Sequence, residues 1–150
     1  MQVERPITEA ITIGDQPTEE DLARLKGQGY VGVVNLRNPG EPEQPMSPSE
    51  EGEKARSLGL DYLHYGVGGS PLSEQGVTAV CDFVDRHTQG GQKVLVHCRK
   101  GGRAAALVLL QQARANKWTP DEALAKGQEM GLAVDGGLRA LVEAYLQQHA

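Results

Sequence analysis

Aromatic side chains are scarce in this chain of 150 residues: one Phe, one Trp and four Tyr, 4% in all. Basic excess is missing too, since the net charge is −5. A chain with this sign of charge, and with no basic stretch interleaved with aromatics, is not expected to bind nucleic acid or an anionic membrane. The two cysteines are too few for a disulfide framework, and the four histidines are scattered, so no metal-ligand cluster is expected. No apolar run reaches membrane-spanning length. The start, Met1-Gln2-Val3-Glu4-Arg5-Pro6, lacks the charged and apolar regions of a signal peptide. Free cysteines without a leader fit a reducing cytoplasm. Internal repeats are absent as well. What remains is ordinary globular composition, 39% apolar and 23% charged. A chain of this length suits one domain, residues 1–150, with a real core.

Against this plain background one stretch stands out: Gly91-Gln92-Lys93-Val94-Leu95-Val96-His97-Cys98-Arg99-Lys100-Gly101-Gly102-Arg103. Lys93 to His97 is the short apolar, β-branched run of a buried strand. From Ala104 to Leu110 every residue is apolar, as in a helix buried on all faces. Between them lies a tight loop holding a cysteine, two glycines and an arginine. A strand feeding a helix through such a loop aims backbone N–H groups into one concavity. The helix N-terminus adds its positive end. A concavity of this kind binds an oxyanion. It also favours the thiolate of a cysteine at its lip, whose pKa can fall from about 8.5 to roughly 3.5–7.5. Cys98 is therefore the expected nucleophile, and Arg103 offers a planar fork for two oxygens of a bound oxyanion. Gly101 and Gly102 allow close backbone approach. Cys81 sits with Val77, Val80 and Val84 on one helical stripe and is expected in the core.

The motif His97-Cys98-x-x-Gly101-x-Arg103 resembles the signature of the cysteine-dependent phosphatase superfamily, which includes the protein tyrosine and dual-specificity phosphatases. More closely, it is similar to the loop of the bacterial beta-lactamase-hydrolase-like phosphatases. Ile13-Gly14-Asp15-Gln16-Pro17-Thr18, Val34-Asn35-Leu36-Arg37 and Trp118-Thr119-Pro120-Asp121-Glu122-Ala123-Leu124 extend the resemblance over most of the chain. It implies a protein-tyrosine-phosphatase-like α/β fold, with a central, mostly parallel sheet of four or five strands flanked by helices on both faces. It implies a hydrolase of phosphate monoesters, phosphotyrosine among them, acting without a cofactor through a phosphocysteine on Cys98. Phosphorylated proteins or small molecules are the implied partners, and the loop would hold a phosphate or sulfate ion. His97, Arg99, Lys100, Gly101, Gly102 and Arg37 are the expected substrate-binding residues around Cys98 and Arg103. Taken alone, Lys100 reads as a solvated surface charge. In most of the wider superfamily the arginine comes one residue later; the shorter spacing here is that of rhodanese sulfurtransferases. A persulfide-carrying sulfurtransferase is thus one alternative, and a non-catalytic oxyanion-binding module another.

Elsewhere, strands are expected at Ala10–Ile13, Val31–Leu36 and Leu60–Tyr65. Thr18, Ser47, Ser73, Thr119 and Asp135 are the expected helix N-caps. Alternating strands and helices imply parallel pairing, which brings Arg37, the Gly66–Ser70 loop and Cys98 to one edge of the sheet. The four prolines between Arg37 and Pro48 suggest an exposed, mobile loop, with Glu41 and Glu43 as surface charges. Glu50, Glu51 and Glu53 read as a solvated helix face, and His64 as a partly buried structural residue. No carboxylate stands out as a proton donor for a leaving group.

Overall fold

A computed structural model describes residues 1–149. Its strands are β1 (Glu4–Pro6), β2 (Ile11–Gly14), β3 (Tyr30–Asn35), β4 (Asp61–His64) and β5 (Lys93–His97). The helices are α1 (Glu19–Gly27), α2 (Pro48–Ser57), α3 (Glu74–Thr88), α4 (Gly102–Asn116), α5 (Pro120–Glu129) and α6 (Gly136–Gln148). The strands form one sheet in the order β1-β2-β5-β3-β4, parallel except for the β1–β2 pair. The strand that carries the cysteine loop is therefore central, between β2 and β3. Strand β1, which has no apolar alternation, is the one element that the pattern did not mark. Its three residues are exposed, and its proline sits where an edge tolerates a missing donor.

Alternation along the central strands makes two cores. Val94 and Val96 of β5 face α3 and α4, in a cluster with Val80, Val84, Leu107 and Leu109. Leu95 faces the other way, with Val33, Leu22 and Leu25 of α1 and Ala55 of α2. Helix α4 is buried from Ala104 to Gln111, as its uniformly apolar sequence requires. Thr18, Ser47 and Thr119 close reciprocal capping boxes, and Ser73 accepts from Gly76 N–H. Asp135 occupies the N-cap of α6 without a side-chain hydrogen bond.

Gly127 of α5 shows how tightly the second layer packs: a Cβ there would lie 2.3 Å from Leu109 Cδ1. Alanine in a helix is favoured over glycine by about 1 kcal/mol, whereas overfilling a packed core costs roughly 1–3 kcal/mol. Gly127→Ala is therefore expected to lower the thermal midpoint. A rise would mean that Leu109 yields and that the α4–α5 contact is loose.

Candidate active site

Three strand ends meet at the site. The His97 carbonyl accepts from Leu36 N–H at 3.0 Å, the Leu36 carbonyl from Val67 N–H at 2.9 Å, and the Gly14 carbonyl from Cys98 N–H at 3.2 Å. The expected convergence of Arg37, the Gly66–Ser70 loop and Cys98 on one edge is thus present. Cys98 is 2% exposed. Its Sγ accepts from Gly101 N–H at 3.0 Å. Gly101 is the N-cap of α4 and has φ 105°, a conformation open to glycine and strained for other residues. The loop therefore turns an amide onto the sulfur at the positive end of a buried helix.

Arg103 leaves the first turn of α4 and lies across the strand ends. Its Nη1 donates to the carbonyls of Val67 at 3.0 Å and Leu36 at 3.3 Å. Both Nη groups grip Glu41, each at 2.8 Å. That carboxylate and the neighbouring Cys98 hold the guanidinium above its ordinary range, against the opposing effect of burial. Among the described residues Arg103 Nε has no carboxylate or carbonyl acceptor, and the Cys98 sulfur lies beside the guanidinium.

The loop after β3 is ordered by charge. Arg37 is 0% exposed. Its Nε donates to Glu41 Oε1 at 3.1 Å, and its Nη1 to Gln16 Oε1 at 2.8 Å and the Glu43 carbonyl at 3.1 Å. Its Nη2 donates to the Pro42 carbonyl. Arg37 is thus placed beneath the site, with its donors turned to the protein, instead of at the mouth where substrate would be met. Glu41 is half-buried, not a free surface charge: besides both arginines it accepts from Asn38 N–H at 2.6 Å. The Arg103 hydrogen bonds, with those of Asn38 and Arg37, bring its pKa down to about 2, more than burial raises it. Glu43 adopts φ 57°, unfavourable for a residue with a Cβ. This turn places its carbonyl on Arg37 and its exposed carboxylate on Arg99. The proline-rich segment is therefore a strapped cover, in place of the mobile connection expected from composition.

His97 also points inward, and so away from substrate. It is 0% exposed, and its Nε2 lies 2.6 Å from Glu51 Oε2, itself 0% exposed. Glu51 is the exception on a helix face expected to be solvated. Gln16 Nε2 donates to its other oxygen at 2.7 Å. Neither Glu51 nor Gln16 was singled out from the sequence, because an acid in a helical first turn normally faces water. His64 is exposed, with Nε2 2.6 Å from the Arg37 carbonyl. Of the remaining expected residues, Gly101 is buried, Lys100 and Gly102 are exposed, and Arg99 flanks the mouth. Cys81 is buried as expected, and burial pushes its thiol up to about 11. It lines a separate cavity of about 570 Å³ between α3, α4 and α6. Among the described residues no group of His, Cys, Asp or Glu could hold a metal. Among the same residues no helix is long and apolar enough to cross a membrane.

The model of the beta-lactamase hydrolase-like protein, phosphatase-like domain family matches residues 4–115. The chain belongs to that family. A beta-lactamase hydrolase-like protein of Xylella fastidiosa (strain Temecula1) is 33% identical over 126 residues, which cover 83% of this chain and 28% of that protein. The chain thus spans less than a third of the length of that relative. The phosphatidylglycerophosphate phosphatase PTPMT1 of Arabidopsis thaliana is 27% identical over 78% of this chain and 34% of its own length. In fold, the structure of Tk-PTP in the active form superposes with a TM-score of 0.77 at 20% identity, over 98% of this chain and 97% of that one. The architecture is that of the protein tyrosine phosphatases, as the loop motif implied.

The Glu41 carboxylate carries a signature in stability. Its pKa is about 2 in the folded chain against an ordinary 4.5, so folding favours its ionised form. The stabilisation is therefore fully present above an ordinary carboxylate pKa and is lost as the pH falls through the folded value. Between those two values the thermal midpoint is expected to drop, and to drop less steeply in Glu41→Gln. Equal slopes in the two proteins would mean that the Arg103 pair contributes nothing to stability.

Proposed function

We propose that the domain is a cysteine-dependent phosphatase of phosphate monoesters. The observation that carries this reading is the contact between Gly101 N–H and Cys98 Sγ beside the Arg103 fork. A nucleophile and an oxyanion clamp then share one short loop. Cys98 Sγ attacks phosphorus; the S–P bond forms as the P–O bond to the leaving group breaks, and the oxygen departs with the electron pair. Water next attacks phosphorus, the S–P bond breaks, and inorganic phosphate leaves the regenerated thiolate. Arg103 and the loop amides hold the equatorial oxygens, more tightly as charge shifts onto them. Arg99 and Lys100 make the mouth locally positive.

The family match supports this reading over a sulfurtransferase, although the short Cys-to-Arg spacing is shared with rhodaneses. The retained cysteine and arginine support it over a binding module without turnover. The Arabidopsis relative is named for a lipid phosphate, and phosphorylated proteins, lipids and small molecules are all compatible with the mouth. The test is a rapid quench of the protein with an aryl phosphate. A phosphoryl group is expected on Cys98 in the wild type and on no residue in Cys98→Ser. Arg103→Lys should lose most activity, because a point charge cannot replace the fork. Turnover surviving in Cys98→Ser, or thiocyanate from thiosulfate and cyanide without phosphate release, would overturn the proposal.

The leaving oxygen needs a proton unless it is already stable as an anion. Glu41 is poorly suited to donate it, being ionised and held by two arginines. Asp15 follows the Gly14 carbonyl that accepts from Cys98 N–H, and one of its oxygens is buried with no partner among the described residues. The other oxygen accepts from Gln2 N–H. With substituted phenyl phosphates the rate is expected to fall steeply as the leaving-group pKa rises, in the wild type and equally in Glu43→Gln and Asp15→Asn. A shallow dependence that turns steep in Asp15→Asn would make that carboxylate the donor.

A further inference from the structure

The side chains beneath the loop form a continuous chain of contacts. His97 Nε2 lies 2.6 Å from Glu51 Oε2, and Glu51 Oε1 accepts from Gln16 Nε2 at 2.7 Å. Gln16 Oε1 accepts from Arg37 Nη1 at 2.8 Å, and Arg37 Nε donates to Glu41 Oε1 at 3.1 Å. Glu41 accepts in turn from both Nη groups of Arg103. One end of the chain is the residue before Cys98; the other is the arginine of the oxyanion clamp. The links come from six places in the fold: β5, α2, the β2–α1 connection, β3's end, the loop after it and α4.

The polarity of each link is determined by its neighbours. An arginine can only donate, so Gln16 must turn its oxygen to Arg37 and its amide nitrogen to Glu51. Glu51 then accepts on one oxygen from Gln16 and on the other from His97. Three of the members, His97, Glu51 and Arg37, are fully buried, where an unmatched donor or acceptor is costly.

We propose that Gln16 and Glu51 are positioning residues for the reaction. Together with Arg37 and Glu41 they make a buried brace that holds His97, and hence Cys98, in register with Arg103. As a role in catalysis, this rests on the phosphatase reading; as a mechanical link, it concerns Cys98 alone.

The matched polarity supplies the test. Gln16→Glu sets two carboxylates against each other. Glu51→Gln keeps both links only if His97 moves its proton to Nδ1, which is buried with no partner among the described residues. The double variant Gln16→Glu/Glu51→Gln restores every link between side chains: the new amide accepts from His97 and donates to the new carboxylate, which accepts from Arg37. The swap loses the hydrogen bond from Gln16 to the Pro17 carbonyl, sets a carboxylate oxygen beside that carbonyl, and moves the negative charge one link towards Arg37.

The three variants are compared with wild type in para-nitrophenyl phosphate hydrolysis, in the rate of Cys98 alkylation by iodoacetamide at one pH, and in thermal unfolding. Each single change is expected to lower kcat by about tenfold or more while KM stays within about threefold. Each should also shift the alkylation rate by more than about threefold. The double variant should return to within about threefold of wild type in both. Single variants indistinguishable from wild type would overturn the brace. So would a double variant no better than the worse single one, whether it is folded or not. Should the wild type show no turnover, the alkylation pattern still decides the brace, and only the phosphatase reading falls.

Discussion

The structure around the loop depends on one burial: the guanidinium of Arg37. A charge removed from water is tolerated only when its donors are matched, and Arg37 is 0% exposed. The segment after it curls back to supply the acceptors: the carboxylate of Glu41 and the carbonyls of Pro42 and Glu43. Gln16 completes the set from the other side. Once the segment has wrapped around Arg37, Glu41 is in place to reach Arg103 and Glu43 to reach Arg99. The unfavourable backbone of Glu43 persists because two cations reward it.

This arrangement gives the two arginines different surroundings. Arg37 turns its donors inward, and Arg103 divides its own. Its Nη ends are gripped by Glu41 and two carbonyls, and the sulfur of Cys98 lies beside the guanidinium. On the proposed phosphatase reading, a fork held from behind loses less rotational freedom when it takes an oxyanion, which pre-organises it for charge that develops in a transition state. The same pairing removes Glu41 from acid–base work, since a carboxylate held by two arginines stays ionised at neutral pH.

Much of this was legible in local sequence. The strand–loop–helix of Cys98, the buried helix α4, the Cys81 stripe and the N-caps Thr18, Ser47 and Thr119 are written in short-range patterns of apolar spacing and N-cap chemistry. The parallel central sheet followed from the alternation of elements. Strand β1 was not legible, because three exposed residues at an edge carry no period. Composition misleads about the cover for a related reason: proline and acid content signal a surface loop, and only a buried partner turns the same residues into an ordered one.

The sequence alone determined the order of the elements after β1, the helix starts and the motif that places Cys98 and Arg103 in one loop. Those depend on contacts within a few residues, which a linear pattern records directly. Tertiary structure alone decided that Arg37 and His97 face inward, that Glu41 clasps Arg103, and that Glu51 and Gln16 join the two ends of the loop. Their separations in sequence run from 4 to 62 residues. The reason is electrostatic: whether a charged side chain faces water or a buried partner depends on what the rest of the fold brings opposite it, and no local propensity encodes that choice.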